Sequence, residues 1–236
     1  GIRLHILDCT RLFSKYVVSN FVSEYSSGRT PNPCIDCNRY LKFDRFFQSA
    51  LELGYEKIAT GHYSVIKEEN GRFLLYKSAD EKKDQSYVLW RLTQEQLSML
   101  TFPLSEMDKS EIKVHAKELA LPNADAPESQ EICFIPSNDY VSYIEERIGK
   151  FPKGSFIDEN GKKIGTHEGI IHYTIGQRKG LGLSLGKPAF VTAIDPEHNT
   201  VTVTGEEKVF TDRLVCHTLN FMAMAPVEEG EVVAEG

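Results

Sequence analysis

The chain has 236 residues, 41% of them hydrophobic and 26% charged, with 27 Lys and Arg against 34 Asp and Glu for a net charge of −7. That length can bury one large core or two to three small ones, while the acidic balance supplies no global attraction to a polyanion. No apolar run approaches the roughly 20 residues of a membrane helix, and the opening residues Gly1 to His5 lack the charged-then-apolar pattern of a secretory leader, so the cytoplasm is the expected compartment and no membrane partner is expected.

Residues 4–7 read as a short strand, and a chain that opens on a strand is expected to be a piece of a longer one. Leu12, Phe13, Tyr16, Val17, Phe21 and Val22 recur near helical spacing and predict a helix over 10–25. Residues 28–38 are rich in Pro, Gly and Cys; Pro31 and Pro33 predict a shaped loop rather than a helix. A second helix is expected over 41–53, ending near Gly54. Residues 57–63 predict a buried strand ending in a glycine turn, which puts Gly61 and His62 at a strand's C-terminal end, where ligands gather in open α/β sheets. A further strand is expected at 73–76, around the Asn70-Gly71 turn. Helices follow at 93–99, opened by a capping box from Thr93 to Gln96, and at 109–119, capped by Asp108.

From Gly154 onward the texture changes to short β-prone runs at 163–165, 169–174, 189–194 and 200–204, broken by Gly and Pro, which predicts an all-β region. The last residues, 213–236, read as the opening strands of a further β domain and carry the acidic residues Glu228, Glu229, Glu231 and Glu235.

Cys9, Cys34, Cys37, Cys133 and Cys216 form an odd set, sparse for a disulfide framework; in a reducing compartment such cysteines are buried bystanders or chemistry. Cys34 and Cys37 form a C-x-x-C, a spacing that lets two thiolates share one metal ion or one redox event. No second C-x-x-C or nearby Cys/His pair completes four zinc ligands, so no metal-ligand set is assigned. Cys133, between Ile132 and Phe134, reads by itself as a small buried hydrophobe, and Cys9 and Cys216 as structural. His62 reads either as a satisfied histidine or as a functional one. Arg178 and Lys179, between Gly176 and Gly180, read either as a solvated turn or as a phosphate contact, since the glycines allow close backbone approach.

Five ordered blocks carry more than composition does. They are Gly28-Arg29-Thr30-Pro31-Asn32-Pro33-Cys34-Ile35-Asp36-Cys37-Asn38 with Lys42-Phe43, then Thr60-Gly61-His62-Tyr63, Lys83-Asp84-Gln85-Ser86-Tyr87, Ser129-Gln130-Glu131-Ile132-Cys133-Phe134-Ile135, and residues 173–182 from Tyr173 through Gln177-Arg178-Lys179-Gly180 to Gly182. Together they resemble the tRNA-specific 2-thiouridylase family. The resemblance implies an α/β Rossmann-like fold of the adenine nucleotide alpha hydrolase type over residues 1–147, incomplete and bearing both active cysteines. A small β-rich central tRNA-binding domain over 148–206 and the start of a C-terminal β-barrel over 207–236 would follow.

The implied activity is ATP-dependent 2-thiolation of a tRNA wobble uridine: the 2-carbonyl oxygen is adenylated and a cysteine persulfide delivers sulfur to the carbon. The chemistry suits the residues, because an amide-like carbonyl is a poor electrophile until its oxygen becomes a leaving group, and a thiolate is a good nucleophile near neutral pH. The resemblance makes Cys133 the persulfide carrier, charged by an upstream sulfur donor such as a cysteine desulfurase or relay protein, and Cys37 the partner whose attack releases the sulfur and leaves a Cys37–Cys133 disulfide. Asn32, Pro33 and Cys34 match positions at the target base, Gly61 one at the nucleotide, and His62, Lys83, Asp84 and Gln85 positions that contact tRNA. Arg178 and Lys179 are assigned to a tRNA contact. ATP and Mg2+ are the implied cofactors of the complete enzyme.

Two departures from the family pattern stand out. The Ser-Gly-Gly-x-Asp-Ser loop that cradles pyrophosphate is not in the sequence, so this chain alone is expected to be inactive, and many relatives have Asp where Cys34 stands. The second departure leaves an iron–sulfur cluster on Cys34, Cys37 and Cys133 as an alternative to the persulfide pair. A non-catalytic fragment that binds tRNA and a metal or cluster, and a thiol–disulfide oxidoreductase built on Cys34 and Cys37, are the other readings.

Overall fold

The computed structural model describes residues 2–126, 132–210, 212–213 and 215–227. They divide into two units, each discontinuous in sequence: residues 1–12, 34–127 and 216–236 in one, and 13–33 and 128–215 in the other.

The first unit is built around helix α2, which runs over residues 33–52 as α-helical Pro33–Asp36, π-helical Cys37–Arg45 and α-helical Phe46–Glu52. Its start overrides the expected loop: proline suits the first helical position, where its missing N–H would be unbonded anyway and its φ is already helical. Phe43 and Phe47 turn inward with Ala50 onto Ile58, Leu89, Leu92, Leu97, Leu100 and Phe102. Burying each large side chain contributes about 1.5–3 kcal/mol. Strand β1 (Ile58–Ala59) lies in the same core and pairs in parallel with β4 (Leu100–Thr101); Thr60 N extends the ladder to Thr101 O at 3.2 Å.

Between them, β2 (Val65–Glu69) and β3 (Arg72–Tyr76) form a hairpin in continuous register. Asn70 and Gly71 take φ of 51° and 73°, as a tight hairpin turn demands. Helix α3 (Gln94–Met99) has the Thr93–Gln96 capping box, and α4 (Lys109–Glu118) has a capping box of Asp108 and Glu111. Asn220 Nδ2 donates to Trp90 O and Leu92 O at 2.6 and 3.0 Å, and the Arg72 guanidinium donates to Phe221 O and Met222 O, fastening the C-terminal segment to this unit.

In the second unit, residues 13–26 of helix α1 (residues 10–26, π-helical over Ser14–Val18) set Phe21, Val22 and Tyr25 against α5 (Tyr140–Ile148) and a mixed four-stranded sheet. The sheet runs in the order β6 (Lys163–His167), β5 (Gly154–Ile157), β8 (Thr200–Thr204), β7 (Phe190–Asp195), with β5 and β8 parallel. Aromatic rings fill the helical side: Tyr25 stacks on Tyr140 at 4.7 Å, and Phe21 meets Phe134 edge-on at 5.5 Å. Burial pushes the Tyr140 hydroxyl up to about 12. A Cβ at Gly154 would overlap the Asn199 carbonyl and the His167 ring, so only glycine fits there.

Several expected elements differ. Residues 4–7 form no strand and expose Leu4 and Ile6, because no partner strand lies beside them among the described residues. The strand at 57–63 shortens to β1, as its one described partner, β4, is two residues long. Residues 169–174 hold a 3₁₀ turn at Ile170–His172, where Gly169 takes φ 144°. Helix α5, capped by Asp139 through Ser142 N, was not among the expected elements. The expected strands after residue 213 are not seen among the described residues, and 228–236, with Glu228, Glu229, Glu231 and Glu235, lie outside them.

Candidate active site

Cys34 and Cys37 occupy the opening turns of α2, three residues apart, Cys34 exposed and Cys37 half-buried. The helix widens into its π-helical stretch at Cys37, a local geometry found mostly as short insertions and frequently at functional sites. The next residue, Asn38, is buried and donates from Nδ2 to Val88 O at 3.2 Å, tying the cysteine-bearing turn to the 86–88 segment. Asn38 Oδ1 is buried without a hydrogen-bond partner.

The 60–63 segment leaves the C-terminal end of β1. Gly61 is exposed, and a Cβ there would meet only Leu104 Cδ1 at 3.7 Å, so the backbone is open to an approaching ligand. His62 is buried between Phe43 and Phe102, with ring centroids at 5.6 and 5.9 Å. Its Nδ1 lies 2.7 Å from Thr60 Oγ1 and its Nε2 3.4 Å from Lys42 Nζ. An ammonium can only donate, so Nε2 is the acceptor and Nδ1 carries the proton. Burial first, and the Lys42 charge second, lower the imidazole to about 4, so His62 is neutral near pH 7.

The 83–87 block is held against this segment. Gln85 N donates to Tyr63 O at 2.8 Å and Tyr63 N donates to Gln85 Oε1 at 3.0 Å. The Asp84 carboxylate accepts from Ser78 N at 2.9 Å and from Ser86 N and Oγ at 3.2 and 2.5 Å. Asp84 and Gln85 therefore use side-chain oxygens to shape the loop that carries half-buried Lys83. Lys109 Nζ sits 4.9 Å from the Tyr63 ring centre.

In the second unit, the loop before Cys34 is pinned to the sheet. Gly28 takes φ +70° with Ile194 Cγ2 2.7 Å from where a Cβ would stand, and Thr30 Oγ1 donates to Thr174 Oγ1 at 3.1 Å. Asn32 is half-buried and Pro33 buried. Cys133 is exposed in a turn between Ile132 and Phe134, which pack on the core; Ser129, Gln130 and Glu131 of its block lie outside the described residues. Arg178 and Lys179 sit in a turn closed by Gly176 N to Val191 O at 2.8 Å and Val191 N to Gln177 O at 3.0 Å. Gln177 Nε2 donates to Lys179 O at 3.0 Å, and the Arg178 guanidinium stands 6.0 Å from the Phe190 ring.

The five cysteines, all among the described residues, are not joined in disulfides. Among the described residues no group of three His, Cys, Asp or Glu converges to hold a metal ion. Cys34 and Cys37 supply two of the three thiolates that the cluster reading needs. No helix among the described residues is long and apolar enough to cross a membrane.

Residues 1–137 match the family described as tRNA methyl transferase HUP domain, and residues 141–205 that described as tRNA methyl transferase PRC-barrel domain. Over 98% of its length the chain is 47% identical to the tRNA-specific 2-thiouridylase MnmA of Lachnoclostridium phytofermentans. It is 47% identical over 97% to that of Acetivibrio thermocellus and 48% identical over 96% to that of Clostridium perfringens. The chain belongs to the tRNA-specific 2-thiouridylase family. It spans 66%, 65% and 64% of the lengths of these three family members. A Rossmann-like HUP domain followed by a PRC-barrel domain is the family architecture that the α/β-then-β reading anticipates. Asn38 and Lys42 belong to the signature block without an expected role; their signal is position, one and five residues beyond Cys37 on a helix whose widened turn no 3.6-residue periodicity reveals.

Proposed function

We propose that this chain is part of an enzyme that replaces the 2-oxygen of a tRNA wobble uridine with sulfur, acting in the cytoplasm with ATP and Mg2+. The observation that carries the reading is the pair of thiols: Cys37 in the opening turns of α2 and exposed Cys133, neither in a disulfide. The uridine oxygen attacks the α-phosphorus of ATP, and pyrophosphate leaves. The terminal sulfur of a Cys133 persulfide, loaded by a cysteine desulfurase or relay protein, attacks the activated carbon, and AMP leaves with the oxygen. The Cys37 thiolate then attacks Cys133 Sγ; the S–S bond breaks, sulfur stays on the base, and a Cys37–Cys133 disulfide forms. A thiol reductant supplies the two electrons that reset the pair.

Asn32, Pro33 and Cys34 are assigned to the target base and Gly61 to the nucleotide. Lys83, Arg178 and Lys179 are assigned to tRNA phosphates, with Asp84, Gln85 and His62 holding the tRNA-facing segments in shape. The 236 residues contain no Ser-Gly-Gly-x-Asp-Ser loop to cradle pyrophosphate, so ATP turnover by this chain alone is not expected. The domain descriptions name methyl transfer, whereas two nucleophilic sulfurs suit sulfur transfer. A cysteine desulfurase with labelled cysteine tests the proposal: peptide mass spectrometry should find the added sulfur on Cys133. Loading on Cys34 or Cys37 alone contradicts it.

One observation favours a second reading. Cys34 stands in the first turn of a helix, the setting of redox C-x-x-C pairs. Disulfide-reductase activity that requires Cys34 and Cys37 and is indifferent to Cys133 would make the chain an oxidoreductase. For the iron–sulfur alternative, a Cys34→Asp variant that thiolates without bound iron leaves the persulfide pair standing; loss of iron and thiolation together favours the cluster.

A further inference from the structure

Lys42 takes no part in the cysteine chemistry, yet its surroundings are unusual for a lysine. Its ammonium lies 3.4 Å from His62 Nε2, and among the described residues no carboxylate pairs with it. His62 is only 7% exposed, and its Nδ1–H is committed to Thr60 Oγ1 at 2.7 Å, so Nε2 faces Lys42 as a neutral acceptor. A neutral imidazole orients the ammonium without offsetting its charge. The side chain is thus held in place by a buried ring while its positive charge stays uncompensated, the state in which a lysine attracts an anion. Thr60 and His62 flank Gly61, whose backbone is exposed with nothing nearer a Cβ position than Leu104 Cδ1 at 3.7 Å. The one histidine that holds Lys42 therefore borders the open position assigned to the nucleotide.

We infer that Lys42 is an anion-binding residue, oriented by His62 and Thr60, that takes a phosphate group of the adenine nucleotide at Gly61. The inference rests on the nucleotide reading of Gly61. An ammonium is a compact point charge suited to phosphoryl oxygens, and in adenylation it would offset negative charge on the α-phosphate while the bond to pyrophosphate breaks. His62 is a positioning residue in this scheme: it touches Lys42 and not the nucleotide.

Isotope-labelled chain titrated with AMP, inorganic pyrophosphate and adenosine tests the site by NMR. AMP and pyrophosphate should move the His62 ring and Lys42 side-chain signals, and adenosine, which lacks phosphate, should leave them unmoved. Lys42→Gln should weaken AMP binding at least tenfold while Lys42→Arg, which keeps the charge, restores most of it; His62→Gln should weaken AMP binding less than Lys42→Gln does. Lys42 is exposed, so both Lys42 variants should keep the wild-type circular dichroism. AMP affinity unchanged in Lys42→Gln, or His62 signals indifferent to AMP, overturns the inference. If thiolated tRNA is assayed in parallel with the complete enzyme, wild-type synthesis by its Lys42→Gln variant overturns this site and leaves the thiolation reading intact. Lys42-dependent AMP binding in an enzyme that makes no thiolated tRNA does the reverse.

Discussion

Gln85 and Tyr63 exchange two hydrogen bonds, Gln85 N to Tyr63 O at 2.8 Å and Tyr63 N to Gln85 Oε1 at 3.0 Å. One glutamine thereby joins the 83–87 loop to the segment that carries Gly61 and His62. Gln85→Ala removes the acceptor of the Tyr63 N–H and should destabilise the protein by about 1–3 kcal/mol. Gln85→Glu keeps an oxygen there and should lose less. Urea denaturation measures both; an unchanged midpoint for Gln85→Ala contradicts the role.

His62 makes stability depend on pH. Its imidazole is held near 4 in the folded protein against an ordinary 6.5. As pH falls the unfolded chain takes the proton first, so a contribution complete above about 6.5 is lost progressively toward about 4. Burial lowers His167 as well, with the same sign, so the contribution of His62 is the difference between wild type and His62→Gln. Wild type should lose more stability than that variant between pH 7 and pH 5. An NMR titration placing His62 near its ordinary value would contradict the geometry.

Gly28 fixes the loop ahead of Cys34. Gly28→Ala meets both a φ of +70° and Ile194 Cγ2 at 2.7 Å, and should cost about 1–3 kcal/mol. Adding Ile194→Ala removes the clash but not the backbone strain, so the two changes together should cost less than the sum of their separate effects. Strict additivity in thermal unfolding would separate the two residues.

Much of this architecture was legible because local chemistry writes it directly. The Thr93–Gln96 capping box, the Asp108 cap and the Asn70-Gly71 hairpin each stand where turn and cap residues require. The misreadings have physical causes. Pro31 and Pro33 argued for a loop, but Pro33 serves as the first residue of α2; Leu4 and Ile6 suggested a strand that no described partner completes. Of the site, the cysteines and the Gly61 turn were visible as motifs. The Lys42–His62–Thr60 chain was not, because it joins a helix to a strand end across 20 and 18 positions (62 − 42 and 60 − 42) and exists only after packing.

The turn carrying Arg178 and Lys179 should supply salt-dependent tRNA affinity, since the net charge of −7 leaves binding to local clusters. Replacing both with Ala should lower the slope of log affinity against log salt by about one to two. Filter binding across salt concentrations measures it, and an unchanged slope moves the tRNA face elsewhere.

In the proposed reaction Cys37 and Cys133 together carry sulfur to a tRNA uridine. The most direct measurement is 2-thiouridine formation, read by mass spectrometry of digested tRNA from cells whose only copy of the complete enzyme bears single Cys→Ser changes. Cys37→Ser and Cys133→Ser should each abolish 2-thiouridine, whereas Cys9→Ser and Cys216→Ser should leave it near wild-type levels. Normal 2-thiouridine in the Cys133→Ser strain would mean that Cys133 carries no sulfur to tRNA.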